Sequence, residues 1–395
     1  MSADAPPRAA VTVDLGAIRD NVASLCDRVG GRPVMAVVKA DGYGHGLVES
    51  ARAARSGGAS WLGVAVLDEA LALRGAGDQG RILSWLAAPG ERWGEAITAG
   101  VDVAAYSVEQ LEEICAAART CGVPATVQLK ADSGLGRGGA TPSDWPALVN
   151  AATAAESEGV LHVSGVWSHL AYADEPDHPT IGNQERAFEA AVAEAESAGL
   201  RPQLRHLANS AATLTRPSAW YDLVRPGLAV YGLSPVPSTA TAAQLGLRPA
   251  MTFRSRLALV KRVPAGQGVS YGHAYTTSRE TTLGLVPIGY ADGVPRHASN
   301  TGPVLAAGRR LAVAGRVCMD QFVLDLGDDH ARAGDEVVLF GSGEDGEPSA
   351  QDWADAAGTI SYEIVTRIGP RVARRYVGAD EPMGHRTAEV GGRGG

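Results

Sequence analysis

Eight short apolar runs, each followed by room for a helix, fill the first two thirds of the chain. They lie at 34–39, 61–66, 81–86, 101–105, 125–130, 163–169, 204–208 and, in part, 222–233. Aliphatic and β-branched residues dominate them and turn residues bound them, which reads as buried strand. Helical periodicity occupies 47–55, 68–73, 91–99, 108–119, 145–157 and 183–198, with a short segment from Ser210. Asp14 is placed to cap a further helix over 15–28. Gly57, Gly100, Gly122, Gly159 and Gly199 close these segments as C-caps. The pattern predicts a (β/α)8 TIM-type barrel over residues 1–240. A doubly wound open sheet is the alternative, and eight strands favour closure. From about Ala250 the pattern changes to short alternating runs separated by Gly, Pro and Asp, which predicts an all-β domain over 241–378. Residues 1–10 read as a flexible lead-in and 379–395, ending in GGRGG, as a disordered tail.

A closed barrel carries its chemistry at the C-terminal ends of its strands. Lys39 follows the first run, Lys130 and Asp132 the fifth, His169 the sixth, and Asn209 and Ser210 the seventh, while Arg225 belongs to the eighth. An amine at the end of a buried strand is partly desolvated, so its pKa falls from ~10.4 towards that of a useful nucleophile or base. That suits a Schiff-base lysine. Gly42, Gly44 and Gly46 would let a bulky ligand approach the backbone. Taken alone, Lys39 reads first as a strand-end lysine before a flexible turn; it precedes its glycines and so fits neither phosphate-loop pattern. The loops after strands seven and eight, where barrels often bind phosphate, read HLANSAA (206–212) and RPGLAVYG (225–232). A hydroxyl and free N–H groups at a helix start suit a phosphate, and an ordinary N-cap is the plainer reading of Ser210. Arg137 lies between glycines in LKADSGLGRGG, on a loop that could meet an anion or simply be solvated.

The chain carries a net charge of -9, which argues against nucleic acid as a partner. No apolar run has spanning length and no signal-like start is evident, so the expectation is no membrane partner and a cytoplasmic location. The cysteines, Cys26, Cys115, Cys121 and Cys318, have no metal-ligand spacing, so no metal is expected and the thiols read as reduced.

VVKADGYGHG, KADSGLGRGG, SHLAYAD, ANSAA and VRPGLAVYGL resemble, in order, segments of the alanine racemases, enzymes that use pyridoxal 5'-phosphate. VSYGHAY, IGYADG, GRVCMDQ and TISYEIVTRIGPRVARRY extend the resemblance into the second domain, so that it spans about 11–376. It implies that Lys39 carries the cofactor, that Tyr43, Ser210, Gly227 and Tyr362 surround its phosphate, and that Arg225 faces its pyridine nitrogen. His169 and Asn209 complete the cofactor set. Arg137 would meet the substrate carboxylate, and Lys130 falls where the family often has a carbamylated lysine. The family is a homodimer with shared sites: Tyr271 and the 318–320 segment, with Met319, reach the other subunit. With Tyr290 and Tyr362 they would form a small pocket for alanine.

Racemisation removes a Cα proton from one face and returns one to the other, which two acid/base groups do directly. The resemblance assigns these to Lys39 and to Tyr271 of the other subunit, and the product D-alanine to cell-wall peptidoglycan. A free phenol has pKa ~10 and needs a cationic environment to act near neutrality; the family supplies it through His169 and Arg225. Arg225 can only donate to the ring nitrogen, which leaves the ring a weaker electron sink than one facing a carboxylate. Serine differs from alanine by one hydroxyl, which a small pocket rejects only modestly. The alternatives are a decarboxylase of the same architecture, a non-catalytic cofactor-binding barrel and a plain structural barrel.

Overall fold

The structure, a computed structural model, describes residues 7–379. Seven parallel strands form one curled sheet in consecutive order. With β1 reserved for Ala9–Asp14, they are β2 (Met35–Val37), β3 (Trp61–Val64), β4 (Arg81–Ser84), β5 (Asp102–Ala105), β6 (Ala125–Lys130), β7 (Leu161–Trp167) and β8 (Leu204–His206). The eighth run does not form a strand. Val224 pairs with Val34 as an isolated bridge, and the amides of Met35 and Val37 donate to the carbonyls of Val224 (2.8 Å) and Pro226 (2.9 Å). Pro226 has no N–H to continue the ladder, and the chain turns into a 3-10 helix at Leu228–Tyr231. The barrel therefore closes through a few backbone bonds, not a full strand. Helices Leu15–Arg28 and Trp145–Ser157 have the predicted bounds, and Asp14 accepts from the Ala17 amide at 2.9 Å as the predicted N-cap.

The second lobe comprises β9 (Met251–Arg256), β10 (Leu259–Val263), β11 (Gly268–Val269), β12 (Tyr275–Thr276), β13 (Thr281–Val286), β14 (Pro303–Ala306), β15 (Arg309–Ala312), β16 (Phe322–Gly327), β17 (Glu336–Phe340) and β18 (Ala373–Val377). Two short helices, Ala350–Ala357 and Ser361–Thr366, interrupt it. Its largest sheet has the order β15-β14-β17-β9-β1-β18. The first strand of the chain thus belongs to the second lobe, antiparallel to β9 and parallel to β18. Ala9 and Ala10 are strand, where a flexible lead-in was expected, because β1 alternates buried and half-buried residues between two partners. Arg8, also expected in the lead-in, is tied to Asp292, while 1–6 and 380–395 lie outside the described residues. Val11 and Val13 are fully buried in a core shared with both lobes. Among the described residues no helix is long and apolar enough to cross a membrane.

Candidate active site

Past the end of β2 the chain makes a left-handed turn. Ala40, Asp41 and Gly42 have φ/ψ of 54/53, 54/46 and 60/42, and Tyr43 also has positive φ. Such a run costs roughly 1–2 kcal/mol for each non-glycine residue, so neighbours must enforce it. The buried His45 imidazole bonds the carbonyls of Gly42 (3.0 Å) and Tyr43 (2.9 Å) through Nδ1 and stacks on Tyr231 at 4.4 Å. Glu69 accepts from the Ala40 amide at 2.6 Å, and Arg374 of β18 donates to the Gly44 carbonyl at 3.0 Å. A Cβ on Gly44 would collide with the Val365 carbonyl oxygen, and one on Gly46 with the Tyr376 hydroxyl. The second lobe therefore clamps the turn that Lys39 begins.

Lys39 opens into a cavity of about 670 Å³ at the C-terminal rim of the barrel. The cavity also gathers Tyr43, Lys130, Arg137, His169, Asn209, Ser210, Arg225, Gly227 and Tyr362. Cations dominate it. Burial, then Arg137, holds the Lys39 amine below its ordinary pKa, and Glu69 partly offsets this. Burial and the guanidiniums of Arg137 and Arg225 push Lys130 down to about 8. The same causes hold His169 well below its ordinary value, so it is neutral. Arg225 is buried and donates to the carbonyl of Ser168 at 2.7 Å and to His206 Nδ1 at 2.8 Å. Burial lowers it to about 9, which still leaves it charged at neutral pH. Arg137 rides on a loop shaped by Asp132, which accepts from the amides of Gly134, Leu135 and Gly136.

Opposite the amine lies a small cradle. Ser210 Oγ accepts from the amides of Gly227 (2.8 Å) and Ala229 (3.3 Å), which leaves its own proton free. A Cβ on Gly227 would occupy the space of the Tyr43 hydroxyl, so glycine here lets that phenol pack against the 227–229 backbone. Burial raises the phenols of Tyr43 and Tyr362, the latter to about 12, so both remain donors. The Asn209 side-chain oxygen is spent on capping Ser210–Thr215, accepting from the Ala212 amide at 3.1 Å.

Tyr271, Tyr290 and Met319 do not line this cavity; they are exposed on the second lobe. They share one face. The amides of Tyr290 and Ala291 donate to the carbonyls of Cys318 and Met319, both at 3.0 Å, and Ser270 Oγ donates to the Arg316 carbonyl at 2.7 Å. Beneath them the buried Asp292 holds Arg8 at 2.6 Å and Arg371 at 3.1 Å. Two indoles that the motifs did not single out complete the cavity wall, Trp85 and Trp167. Lys130 Nζ and the Arg225 guanidinium sit over the Trp167 ring at 4.6 and 5.0 Å. Trp167 could have been found: it stands two residues before His169, facing inward from β7.

Family models of the alanine racemase N-terminal and C-terminal domains match residues 13–235 and 250–376. The alanine racemase of Frankia casuarinae is 61% identical over 370 residues, covering 94% of this chain and 96% of the relative. That of Streptomyces coelicolor is 60% identical over 380 residues, covering 95% and 97%. Among solved structures, alanine racemase from D-cycloserine-producing Streptomyces lavendulae superposes with a TM-score of 0.94 at 58% identity, covering 95% of this chain and 98% of the other.

Proposed function

The chain belongs to the alanine racemase family, and on that premise we propose that it interconverts L-alanine and D-alanine with pyridoxal 5'-phosphate. One observation carries the reading. A single cavity joins an amine of lowered basicity, Lys39, to a buried guanidinium, Arg225, and to a cluster of hydroxyls from Ser210, Tyr43 and Tyr362. The donor set suits this cofactor: the free Ser210 hydroxyl proton and the Tyr43 and Tyr362 phenols for a phosphate, Arg225 for a ring nitrogen, and Lys39 for an aldehyde. When bound, the cofactor supplies a conjugated ring that accepts the electron pair left as the Cα proton departs.

The chain's own groups then handle the proton. Lys39 Nζ, with its pKa depressed, exchanges it on one face of the substrate. Arg137 holds the carboxylate from its Asp132-shaped loop. The other face needs a second base, and no residue of this chain's cavity stands out for it. Tyr271, 70% exposed and not part of its own chain's cavity wall, suits that role in a second subunit. This supports a homodimer with shared sites. His169 accepts from Arg225 through Nδ1 at 3.4 Å, so its Nε2 carries the proton and can donate to an incoming phenolate oxygen. Tyr290 and Met319 would travel with Tyr271 and narrow the pocket around a methyl group.

Lys130, lowered to about 8, holds an appreciable fraction of neutral amine near neutral pH. That is the form that adds to carbon dioxide, releasing a proton to give a carbamate, whose charge would steady Arg137 and Arg225. A cytoplasmic location and a supply of D-alanine for peptidoglycan belong to the same reading. The test is incubation of cofactor-loaded protein with L-alanine: optical rotation should decay to zero without gas release. Stable rotation overturns the reading, and carbon dioxide release favours a decarboxylase, against which Arg225 already speaks.

A further inference from the structure

A line of hydrogen bonds runs through the barrel interior from one rim to the other. At the N-terminal ends of the strands, Asp102 opens β5 and Arg81 opens β4, and their side chains pair at 2.7 Å. The Gln128 amide nitrogen in β6 donates to Asp102 Oδ2 at 3.2 Å. The Gln128 carbonyl meets His206 Nε2 at 2.7 Å, and His206 Nδ1 meets Arg225 Nη1 at 2.8 Å. Asp102, Gln128, His206 and Arg225 are all buried.

The chemistry of its ends permits one arrangement of protons along this line. A guanidinium can only donate, so His206 Nδ1 accepts and Nε2 carries the hydrogen. An ionised carboxylate can only accept, so Gln128 turns its nitrogen to Asp102 and its oxygen to His206. Burial and the nearby Arg225 charge keep His206 neutral, as this arrangement requires. The barrel is shaped to house the line. The register of β6 against β7 slips between Val127 and Gln128, and the extra residue, Ser164, donates to Asp102 at 2.9 Å. At the next position a Cβ on Gly165 would press on the Gln128 amide. Trp167 covers His206, with ring centres 5.7 Å apart and planes 8° from parallel.

We propose that Asp102 is a positioning residue for Arg225: through Gln128 and His206, its carboxylate sets the proton order that holds the guanidinium facing the cofactor. The step from Arg225 to the cofactor rests on the racemase reading; the proton order does not. Asp102→Asn lets the amide at 102 point either way. With its N–H turned to Gln128, that amide would reverse Gln128 and point an N–H towards His206 Nε2, which sets His206 against Arg225.

The first measurement uses the unaltered protein. ¹⁵N NMR of histidine-labelled protein at pH 7 should show His206 protonated at Nε2 and bare at Nδ1. The reverse tautomer or an imidazolium overturns the proposal, whatever the activity of the enzyme. The second compares Asp102→Asn with Ser164→Ala, which removes a contact to Asp102 but keeps the charge. Asp102→Asn should shift the bound cofactor's absorption and lower kcat, by at most about the ten- to hundredfold that loss of a partner costs when it bonds a metal ligand directly. KM for alanine should change little, because Arg137 is untouched. Ser164→Ala should lower the melting temperature and leave the absorption in place. A spectral shift as large in Ser164→Ala, or none in a folded Asp102→Asn, overturns the proposal.

Discussion

The tripeptide Tyr-Gly-His occurs twice, at 43–45 on the barrel rim and at 271–273 on the second lobe. The two copies have opposite fates. Tyr43 is 7% exposed and His45 wholly buried, whereas Tyr271 is 70% exposed and His273 lies beside it in the open. Both glycines have positive φ, 80° at Gly44 and 68° at Gly272. A side chain on Gly44 would strike a backbone carbonyl, while one on Gly272 would meet only the flexible end of Arg316 at 3.4 Å. The same three residues do not take the same turn: φ is positive at Tyr43 and Gly44 in one copy and at Gly272 and His273 in the other, so the surrounding packing decides both conformation and use. The buried copy is a fixed floor beside Lys39; the exposed copy presents a phenol outside the cavity that holds Lys39.

The strongest test of that contrast removes the two proposed bases. Lys39→Ala should lose racemisation by at least about 10³-fold and lose the cofactor's absorbance near the visible edge; an unchanged spectrum removes Lys39 from its role. Tyr271→Phe should retain the cofactor yet slow turnover by about 10²–10⁴-fold, more in one direction than the other. Mixed after subunit exchange, the two variants should regain activity through a heterodimer with one intact site. No recovery after proven exchange places both bases in one chain.

Gly44→Ala combines left-handed strain with a collision, so urea denaturation should show a loss of about 2–5 kcal/mol and weaker cofactor binding. An acid titration probes the same side of the molecule. Burial holds His45 at about 4 and His169 and His206 well below their ordinary values. Below pH ~6.5 the unfolded chain takes up protons that the folded chain refuses. The stability present above that pH should therefore fall as pH drops towards 4, by up to ~1.4 kcal/mol per pH unit for each histidine. His45→Gln should shallow the slope; an unchanged slope shows that His45 is protonated in the fold. Gly272→Ala is the smallest effect, about 1 kcal/mol from backbone strain alone. A loss matching that of Gly44→Ala would erase the contrast between the two turns.

Much of this was legible in the sequence because barrel topology converts strand ends into neighbours. Lys39, Lys130, His169, Ser210 and Arg225 are far apart along the chain, yet the alternating pattern alone brings them to one rim. The eighth strand misled because its apolar residues fit while Pro226 withholds the donor that a ladder needs. The left-handed turn was hidden because Ala40, Asp41 and Tyr43 give no local cue for positive φ; Tyr231, Glu69 and β18 impose it from elsewhere. Asp102, Gln128 and His206 escaped notice for a related reason. Each reads as an isolated polar residue within a strand, and only the closed barrel joins them. Nor does anything in AAVTVD say which sheet will take it.

That last segment has a consequence for how the protein is made. Residues 9–14 are made before the barrel, yet the strands that flank them, 251–256 and 373–377, are made after it. Bringing such distant segments together is slow and carries a loop-closure cost. Until it happens, the newly made barrel carries an unpaired strand on its N-terminal side. Synthesis of 373–377, not completion of the barrel, is the moment at which the molecule can lock.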